Sequence, residues 1–176
     1  TAALHMSLLA SEVQSGDEVI ISGLTFIADA NVVKMCGAKV VLADCESLDN
    51  WNLSAKTIES KITPRTKAVI IVHFAGYPCD MVPIVNLCRK YNIILIEDNC
   101  ESLGTELPEG KAGNFSLGAS FSFFVAHHMS TIEGGMICTD DEDFAEMLRI
   151  VRANGWDRNL SAKQQFKWRQ KYNIQS

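Results

Sequence analysis

The sequence lacks several features that would place the protein in a specialised class. No two cysteines have Cys-x-x-Cys spacing, and the six cysteines fall mostly inside apolar runs. The apolar runs, such as residues 68–72 and 93–96, are far shorter than the roughly 20 residues that span a membrane. There is no internal repeat and no low-complexity stretch. These absences favour a cytoplasmic globular protein with reduced, buried thiols and no membrane segment.

An excess of positive charge is also absent. Lysine and arginine together number 16 against 21 acidic residues, which gives a net charge of −5, and the acidic residues are dispersed. This charge pattern argues against a nucleic-acid or membrane-surface partner. With 176 residues, of which 47% are hydrophobic, the chain is long enough to build a core.

Short β-rich runs alternate with helical patterns along the chain. Strands are predicted at residues 18–21, 40–43, 68–73, 93–97, 119–123 and 136–139, and helices at 1–10, 27–35, 54–62, 81–91 and 141–152. Residues 107–118 predict a loop, and the polar, basic tail 161–171 predicts a loop or a frayed end. Because parallel strands need crossover connections, the alternation predicts an α/β fold, a mainly parallel sheet with helices on both faces.

Two motifs carry the functional information. One apolar run ends in Glu97-Asp98, at the kind of strand end where open α/β sheets bind ligands. Further along, His127 stands five residues after Ser122-Phe and six residues before Glu133-Gly-Gly. With Gly-Asp-Glu-Val-Ile, Thr-Pro-Arg-Thr-Lys-Ala and Arg-Ala-Asn-Gly-Trp, this pattern resembles the DegT/DnrJ/StrS sugar aminotransferase family. These are fold type I enzymes that use pyridoxal phosphate, so the resemblance implies that cofactor.

His127 occupies the position at which members of that family carry the lysine that binds the cofactor covalently. The chain has no lysine between Lys111 and Lys163, and histidine cannot form a stable Schiff base. Histidine can exchange a proton near neutral pH, since its unperturbed pKa is about 6.5. The substitution resembles the nucleotide-sugar 3-dehydratase branch, in which pyridoxamine phosphate condenses with a 4-keto sugar. There His127 would take a proton from the cofactor's C4′ carbon and assist loss of the sugar 3-hydroxyl.

The resemblance also implies residues that hold the cofactor. Asp98 would pair with the protonated pyridine nitrogen, and Phe26 would stack on the ring. Thr1 and Ala2, at a helix start, and Ser122 would bind the phosphate. For a lone aspartate or aromatic residue, a strand-end turn or a core position is the ordinary interpretation, and the surrounding motif favours the cofactor.

Two further assignments depend on the resemblance alone. Glu101 stands where many relatives have a glutamine near the cofactor's 3-hydroxyl. Asn173 resembles an asparagine that reaches the site of a neighbouring subunit, which implies a homodimer. A single asparagine in a polar tail is also compatible with an ordinary surface position that has no role in a site.

Metal chemistry is not expected. Neighbouring residues of an extended strand point to opposite faces, so His127 and His128 would be poor joint ligands. Cys100 matches relatives that carry an iron–sulfur cluster, but no cysteine follows Cys138. We therefore expect no cluster and no metal.

The resemblance divides the chain into residues 1–160, the central part of a cofactor-binding large domain, and residues 161–176, a polar connector toward a C-terminal small domain. The natural chain is expected to extend upstream. The implied substrate is a nucleotide-linked 4-keto-6-deoxyhexose, with an amino-group donor such as glutamate. Two alternatives stay open: an ordinary nucleotide-sugar aminotransferase that obtains its lysine elsewhere, and a non-catalytic binding or regulatory relative.

Overall fold

The computed structural model describes residues 1–174 and contains one six-stranded sheet. The strand order is β2-β1-β3-β4-β7-β8, and all neighbours run parallel except the antiparallel pair β7 and β8. The six strands are β1 (Glu18–Ser22), β2 (Lys39–Ala43), β3 (Thr66–Val72), β4 (Ile94–Asp98), β7 (Gly118–Ser122) and β8 (Gly135–Cys138). The prediction of a mainly parallel sheet is confirmed.

The central strands form where apolar, largely β-branched residues run without interruption. Every residue of β1 is buried, and so are the last five of the seven residues of β3. A strand that is buried on both faces has a continuous apolar sequence instead of an alternating one. The sheet therefore needs a cover of helices on each face.

Two helical layers provide this cover. The helices are α1 (Ala2–Ala10), α2 (Ala28–Met35), α3 (Ala55–Glu59), α4 (Met81–Tyr91), α5 (Glu142–Arg152) and α6 (Ala162–Lys171). One apolar cluster joins the sheet to α1, α2 and α5 through Leu4, Leu8, Val32, Val33, Phe144 and Leu148. The other cluster joins the opposite face to α3 and α4 through Ile58, Ile84 and Leu87. The prediction of helices on both faces is confirmed.

The polar tail is helical, so the prediction of a loop or a frayed end at residues 161–171 was wrong. Ser161 caps α6: its hydroxyl accepts a hydrogen bond from the Gln164 N–H, and the Gln164 side chain accepts one from the Ser161 N–H. Trp168 is buried and donates its indole N–H to Glu146 of α5 at 2.7 Å. Because Trp168 is the only buried residue of this helix, its sequence has no apolar stripe that would reveal a helix.

Smaller differences concern loops and helix ends. Residues 107–118, predicted as a loop, overlap a short antiparallel hairpin of β5 (Glu106–Leu107) and β6 (Gly110–Lys111). Helix α3 ends at Glu59, three residues before the predicted end at Ile62. Residues 175 and 176 of the predicted connector lie outside the described range. Within residues 1–174, no helix combines the length and the apolar character that crossing a membrane requires.

Candidate functional site

The carboxyl ends of the parallel strands collect three of the predicted site residues at one edge of the sheet. Asp98 ends β4, Ser122 ends β7, and Phe26 follows β1 with its side chain exposed. The chain runs from β1 outward to β2 and then returns to β3 on the other side of β1. In open α/β sheets, ligands bind at such a reversal, beyond the carboxyl ends of the strands.

Asp98 is a buried acid surrounded by uncharged donors. Its Oδ1 accepts hydrogen bonds from the Ser120 hydroxyl at 2.9 Å and from the Cys100 N–H at 3.1 Å, and the Cys100 thiol lies 3.5 Å from Oδ2. Burial raises the pKa of Asp98, and these donors oppose that effect. Burial and the charge of Asp98 raise the pKa of the Cys100 thiol, so the thiol keeps its proton. Sequence reasoning missed Ser120, although the register of β4 and β7 pairs it directly with Asp98.

A second buried acid, Asp29, was also missed. It lies in the first turn of α2 and is fully buried, and its Oδ2 accepts a hydrogen bond from the Thr25 hydroxyl at 2.5 Å. Within residues 1–174, its Oδ1 has no hydrogen-bond partner. Burial and the negative charge of Asp98 raise the pKa of Asp29 to about 7. The available signal was an acidic residue on the same helical face as Val32 and Val33.

The start of α1 lies beside the β7–β8 pair. Gly135 of β8 pairs with Ser122, and a Cβ atom at Gly135 would lie 3.6 Å from the Ala3 Cβ. Thr1 is the N-cap residue of α1, and its side chain makes no capping hydrogen bond. Unpaired N–H groups at a helix start attract anions. Ser122 and the start of α1 therefore lie at the same edge of the sheet, and the binding of one phosphate by Thr1, Ala2 and Ser122 stays a prediction.

His127 lies in the loop at residues 123–134, between β7 and β8. The loop is closed by hydrogen bonds from the Phe123 N–H to the Gly134 carbonyl at 3.0 Å and from the Thr131 N–H to the Phe123 carbonyl at 2.9 Å. The imidazole of His127 is half-buried, with its ring centroid 6.3 Å from that of Phe124 in an edge-on arrangement. The loop therefore presents His127 beyond the end of β7.

The two histidines are not on an extended strand, so the argument that they face opposite sides does not apply. Both lie in the bends of the loop, where His128 is exposed. Within the described part of the chain, no group of three or more histidine, cysteine or acidic side chains is arranged to hold a metal ion.

Glu101 is held by the turn that follows β3. One of its carboxylate oxygens, Oε2, accepts a hydrogen bond from the Ala75 N–H at 2.6 Å. Ala75 has a φ of 52°, a left-handed conformation that is uncommon for a residue with a Cβ. Glu101 thus stabilises this turn, and its predicted contact with the cofactor stays a prediction.

The structure does not place Asn173 with the other site residues. Asn173 follows α6, whose last residue Lys171 pairs with Glu12 at 2.9 Å. Glu12 lies beyond the C-terminal end of α1, while Thr1 is at its N-terminal end. Asn173 and the predicted phosphate site of its own chain therefore lie near opposite ends of α1.

Glu97, next to Asp98, fixes the end of β4 from the other face of the sheet. Burial alone would raise the pKa of Glu97, but hydrogen bonds from His73 at 3.2 Å, Gly113 N–H at 2.7 Å and Phe115 N–H at 3.0 Å lower it. His73 Nδ1 accepts a hydrogen bond from the Cys79 N–H, so Nε2 carries the proton that faces Glu97. This network ties β3, β4 and the loop before β7 together.

The site has a deficit of positive charge that a cationic ring would correct. Asp98 and Asp29 are both buried, the charge of Asp98 raises the pKa of Asp29, and within residues 1–174 neither forms a salt bridge with a side chain. A helix start suited to a phosphate and the exposed ring of Phe26 lie at the same edge. These features fit a phosphorylated, protonated pyridine such as pyridoxal phosphate. The fold and the site thus define the class of α/β enzymes that bind such a cofactor.

The chain belongs to the DegT/DnrJ/EryC1/StrS aminotransferase family, whose sequence pattern matches residues 1–175. It is 45% identical over 159 residues to the GDP-perosamine synthase of Caulobacter vibrioides, covering 90% of this chain and 43% of that protein. An aminotransferase structure from Psychrobacter cryohalolentis has a TM-score of 0.82 at 34% identity, covering 88% of this chain and 39% of that one.

A dehydratase structure is similarly close. The GDP-4-keto-6-deoxy-D-mannose-3-dehydratase of E. coli, solved with bound hydrated pyridoxal phosphate, has a TM-score of 0.83 at 32% identity, covering 91% of this chain and 42% of that one. The chain spans less than half the length of these relatives, so it corresponds to part of their fold. The comparisons confirm the family, and its members include both aminotransferases and dehydratases.

Proposed function

We propose that the full-length protein is a pyridoxamine-phosphate-dependent dehydratase that removes the 3-hydroxyl of a nucleotide-linked 4-keto-6-deoxyhexose. The observation that carries this proposal is His127 at the position of the family's lysine. Residues 112–162 contain no lysine that could replace it. The resemblance to a solved 3-dehydratase at 32% identity supports the same activity.

The chain's residues divide the task of holding the cofactor. Asp98 would bind the protonated ring nitrogen, Phe26 would lie against the ring, and Ser122 with Thr1 and Ala2 would hold the phosphate. When bound, the cofactor supplies a cationic ring that withdraws electrons from the carbon losing a proton. Ser120 and Cys100 keep the Asp98 carboxylate ionised and oriented by donating hydrogen bonds to it.

His127 would carry out the proton transfers. An imidazole nitrogen that is not protonated can accept a proton, and the same nitrogen can then deliver it to the departing hydroxyl. The edge-on contact with Phe124 limits the orientations of the ring. A half-buried position gives His127 access to a ligand at the sheet edge while the loop excludes part of the solvent.

An ordinary aminotransferase is the second candidate, and the 45% identity to a GDP-perosamine synthase favours it. It requires a lysine from a part of the protein outside this chain. A non-catalytic binding or regulatory relative is the third candidate. The joint presence of Asp98, Ser122 and His127 argues against it, because loss of function has no reason to leave a proton-transfer group in place.

One experiment separates the three candidates. The purified full-length protein is incubated with pyridoxal phosphate and glutamate, its absorbance spectrum is recorded, and a 4-keto-6-deoxy sugar nucleotide is added for mass analysis. Loss of the 3-hydroxyl without a borohydride-trapped lysine adduct supports the dehydratase. An aminated sugar or a trapped lysine supports the aminotransferase, and the absence of a cofactor spectrum supports the binding relative.

Several features of the whole protein stay predictions. These are the nucleotide-sugar substrate, glutamate as the amino donor, the absence of an iron–sulfur cluster, the homodimer, the cytoplasmic location, and the division into a large domain at 1–160 and a connector from 161. Trp168 and Gln164 anchor the beginning of that predicted connector to Glu146 of α5.

A further inference from the structure

Asp29 is a buried acid at the sheet edge that the proposed function leaves without a task. Its side chain is fully buried, and its Oδ1 has no hydrogen-bond partner among the residues that the structure describes. It is close enough to Asp98 for the charge of one carboxyl to affect the proton affinity of the other. An unpaired, charged oxygen in such a position costs much more free energy than the unpaired oxygen of a protonated carboxyl.

The hydrogen bonds show which of the two acids keeps the proton. Asp98 has the Ser120 hydroxyl, the Cys100 N–H and the Cys100 thiol as donors, all of which favour a carboxylate. Asp29 has the Thr25 hydroxyl alone. Two interacting carboxyls titrate as a pair, and the member with more hydrogen-bond donors ionises first. Asp98 is therefore the carboxylate and Asp29 the neutral acid.

We propose that Asp29 is the proton-holding partner of Asp98, and that Asp29 releases its proton to water when Asp98 pairs with a cationic ring nitrogen. Asp29 is thus a positioning residue that acts through Asp98. Without a bound cation, the two carboxyls together hold one negative charge. Beside a bound cation, they hold two. This inference rests on the proposed cofactor site, and it assigns to that site a proton exchange that depends on pH.

The groups around Asp29 determine the sign of this pH dependence. The titratable groups that face it are Asp98 on β4 and the Cys100 thiol after β4. Burial and the negative charge of Asp98 raise the pKa of Asp29 to about 7. A cation at Asp98 cancels the repulsion, so the pKa of Asp29 falls and its proton leaves. Binding then strengthens as pH rises, by about fivefold between pH 6 and pH 7 for release of one proton.

The first measurement uses the full-length protein without cofactor. Carboxyl ¹³C NMR is followed from pH 5 to pH 9 in the wild type and in Asp29→Asn, with Asp29→Thr as a second neutral variant if the first does not fold. We expect one aspartate signal that titrates near neutral pH in the wild type and is missing in the variants. Thr25→Val removes the donor to Asp29 and should move this midpoint upward. A wild type without a neutral-range titration would overturn the inference.

The second measurement follows the proton itself. Pyridoxamine 5′-phosphate, which has no aldehyde to react with surface lysines, is titrated by calorimetry in buffers of different ionisation enthalpy. The probe's own proton exchange is common to both proteins, so the difference between the wild type and Asp29→Asn isolates Asp29. We expect the wild type to release more protons and to gain about fivefold more affinity than the variant from pH 6 to pH 7.

The outcomes of the two measurements separate the two proposals. Equal proton release by the wild type and Asp29→Asn, with binding intact, would overturn the role of Asp29 alone. Titration of Asp29 without any binding of pyridoxamine phosphate would overturn the cofactor site and the release step with it.

Discussion

His127 and His128 are neighbours in sequence with different surroundings. His127 is half-buried against Phe124, and His128 is exposed. If His127 transfers the proton, His127→Asn should lower turnover by about 10²- to 10⁴-fold, the usual contribution of a general acid–base group. Turnover is measured as release of the 3-deoxy product, and the affinity for pyridoxamine phosphate should change little.

The matched control for this prediction is His128→Asn. It makes the same chemical change one residue away, and we expect turnover near that of the wild type. Equal losses in the two variants would point to damage to the loop at 123–134 and would remove the special role of His127.

Some site residues could be predicted from the sequence and others could not. Asp98 and His127 were predicted as site residues because each stands in a motif of adjacent residues. Asp29, Ser120 and the donor role of Cys100 were missed. Ser120 and Cys100 matter because they hydrogen-bond to Asp98, and Asp29 matters because the charge of Asp98 raises its pKa. A sequence shows such contacts only after the strand register is known.

At the scale of elements, Glu18 joins three segments at the start of the sheet. Its carboxylate accepts hydrogen bonds from Lys39 of β2 at 3.0 Å and, before β3, from Arg65 at 2.8 Å and Thr63 at 2.6 Å. These partners lower the pKa of Glu18 to about 2. A carboxyl with a lowered folded-state pKa stabilises the fold above its unfolded pKa of about 4.3, and this stabilisation disappears as the pH falls below that value.

We therefore expect the free energy of unfolding to fall between pH 5 and pH 3 in the wild type, and to fall less in Glu18→Gln. Urea unfolding at several pH values checks this. Glu59→Gln is the control, because Glu59 also pairs with a lysine, Lys90, but its side chain is 46% exposed. Identical pH profiles for the wild type and Glu18→Gln would contradict the prediction.

Helix α6 is attached to α5 mainly through Trp168. Trp168→Ala removes both the buried ring and the N–H donor to Glu146, and it should destabilise the helix attachment by about 3–5 kcal/mol. Trp168→Phe keeps an aromatic ring and removes the donor, so its effect should be smaller. We expect the backbone amides of residues 162–171 to exchange most slowly in the wild type, faster in Trp168→Phe and fastest in Trp168→Ala. Unchanged exchange in the Ala variant would show that Trp168 does not anchor the helix.

Elements with a continuous apolar pattern were predicted well, and those without one were not. The six strands of the main sheet and the helices α2, α4 and α5 follow from the periodicity of their sequences. Helix α6 was missed because its stability comes from the cap at Ser161 and the contact of Trp168 with Glu146, not from an apolar stripe.

At the scale of the whole molecule, the position of Asn173 suggests a test of the predicted dimer. Asn173 lies apart from the sheet edge of its own chain, as expected for a residue that serves a partner's site. If so, an inactive His127→Asn protein mixed with an inactive Asn173→Ala protein should regain activity. One of the two sites in each mixed dimer then has His127 from one subunit and Asn173 from the other.

The assay compares the mixture, after exchange of subunits, with each variant alone. Recovery of a substantial fraction of wild-type turnover supports the shared site. A mixture as inactive as its components, with mixed dimers shown by mass spectrometry, would contradict it.

The opposite roles of Glu97 and Asp98 make β4 intolerant of changes in length. Because the two acids are adjacent in a strand, they face opposite helical layers. Glu97 is bound to His73 and to backbone N–H groups, and Asp98 lies at the proposed cofactor site. Deletion of one residue within β4 would exchange these faces, presenting the wrong carboxylate to each layer. We infer that lineages of this protein can gain or lose residues in the hairpin segment between β4 and β7, whereas the strand itself evolves by substitution alone.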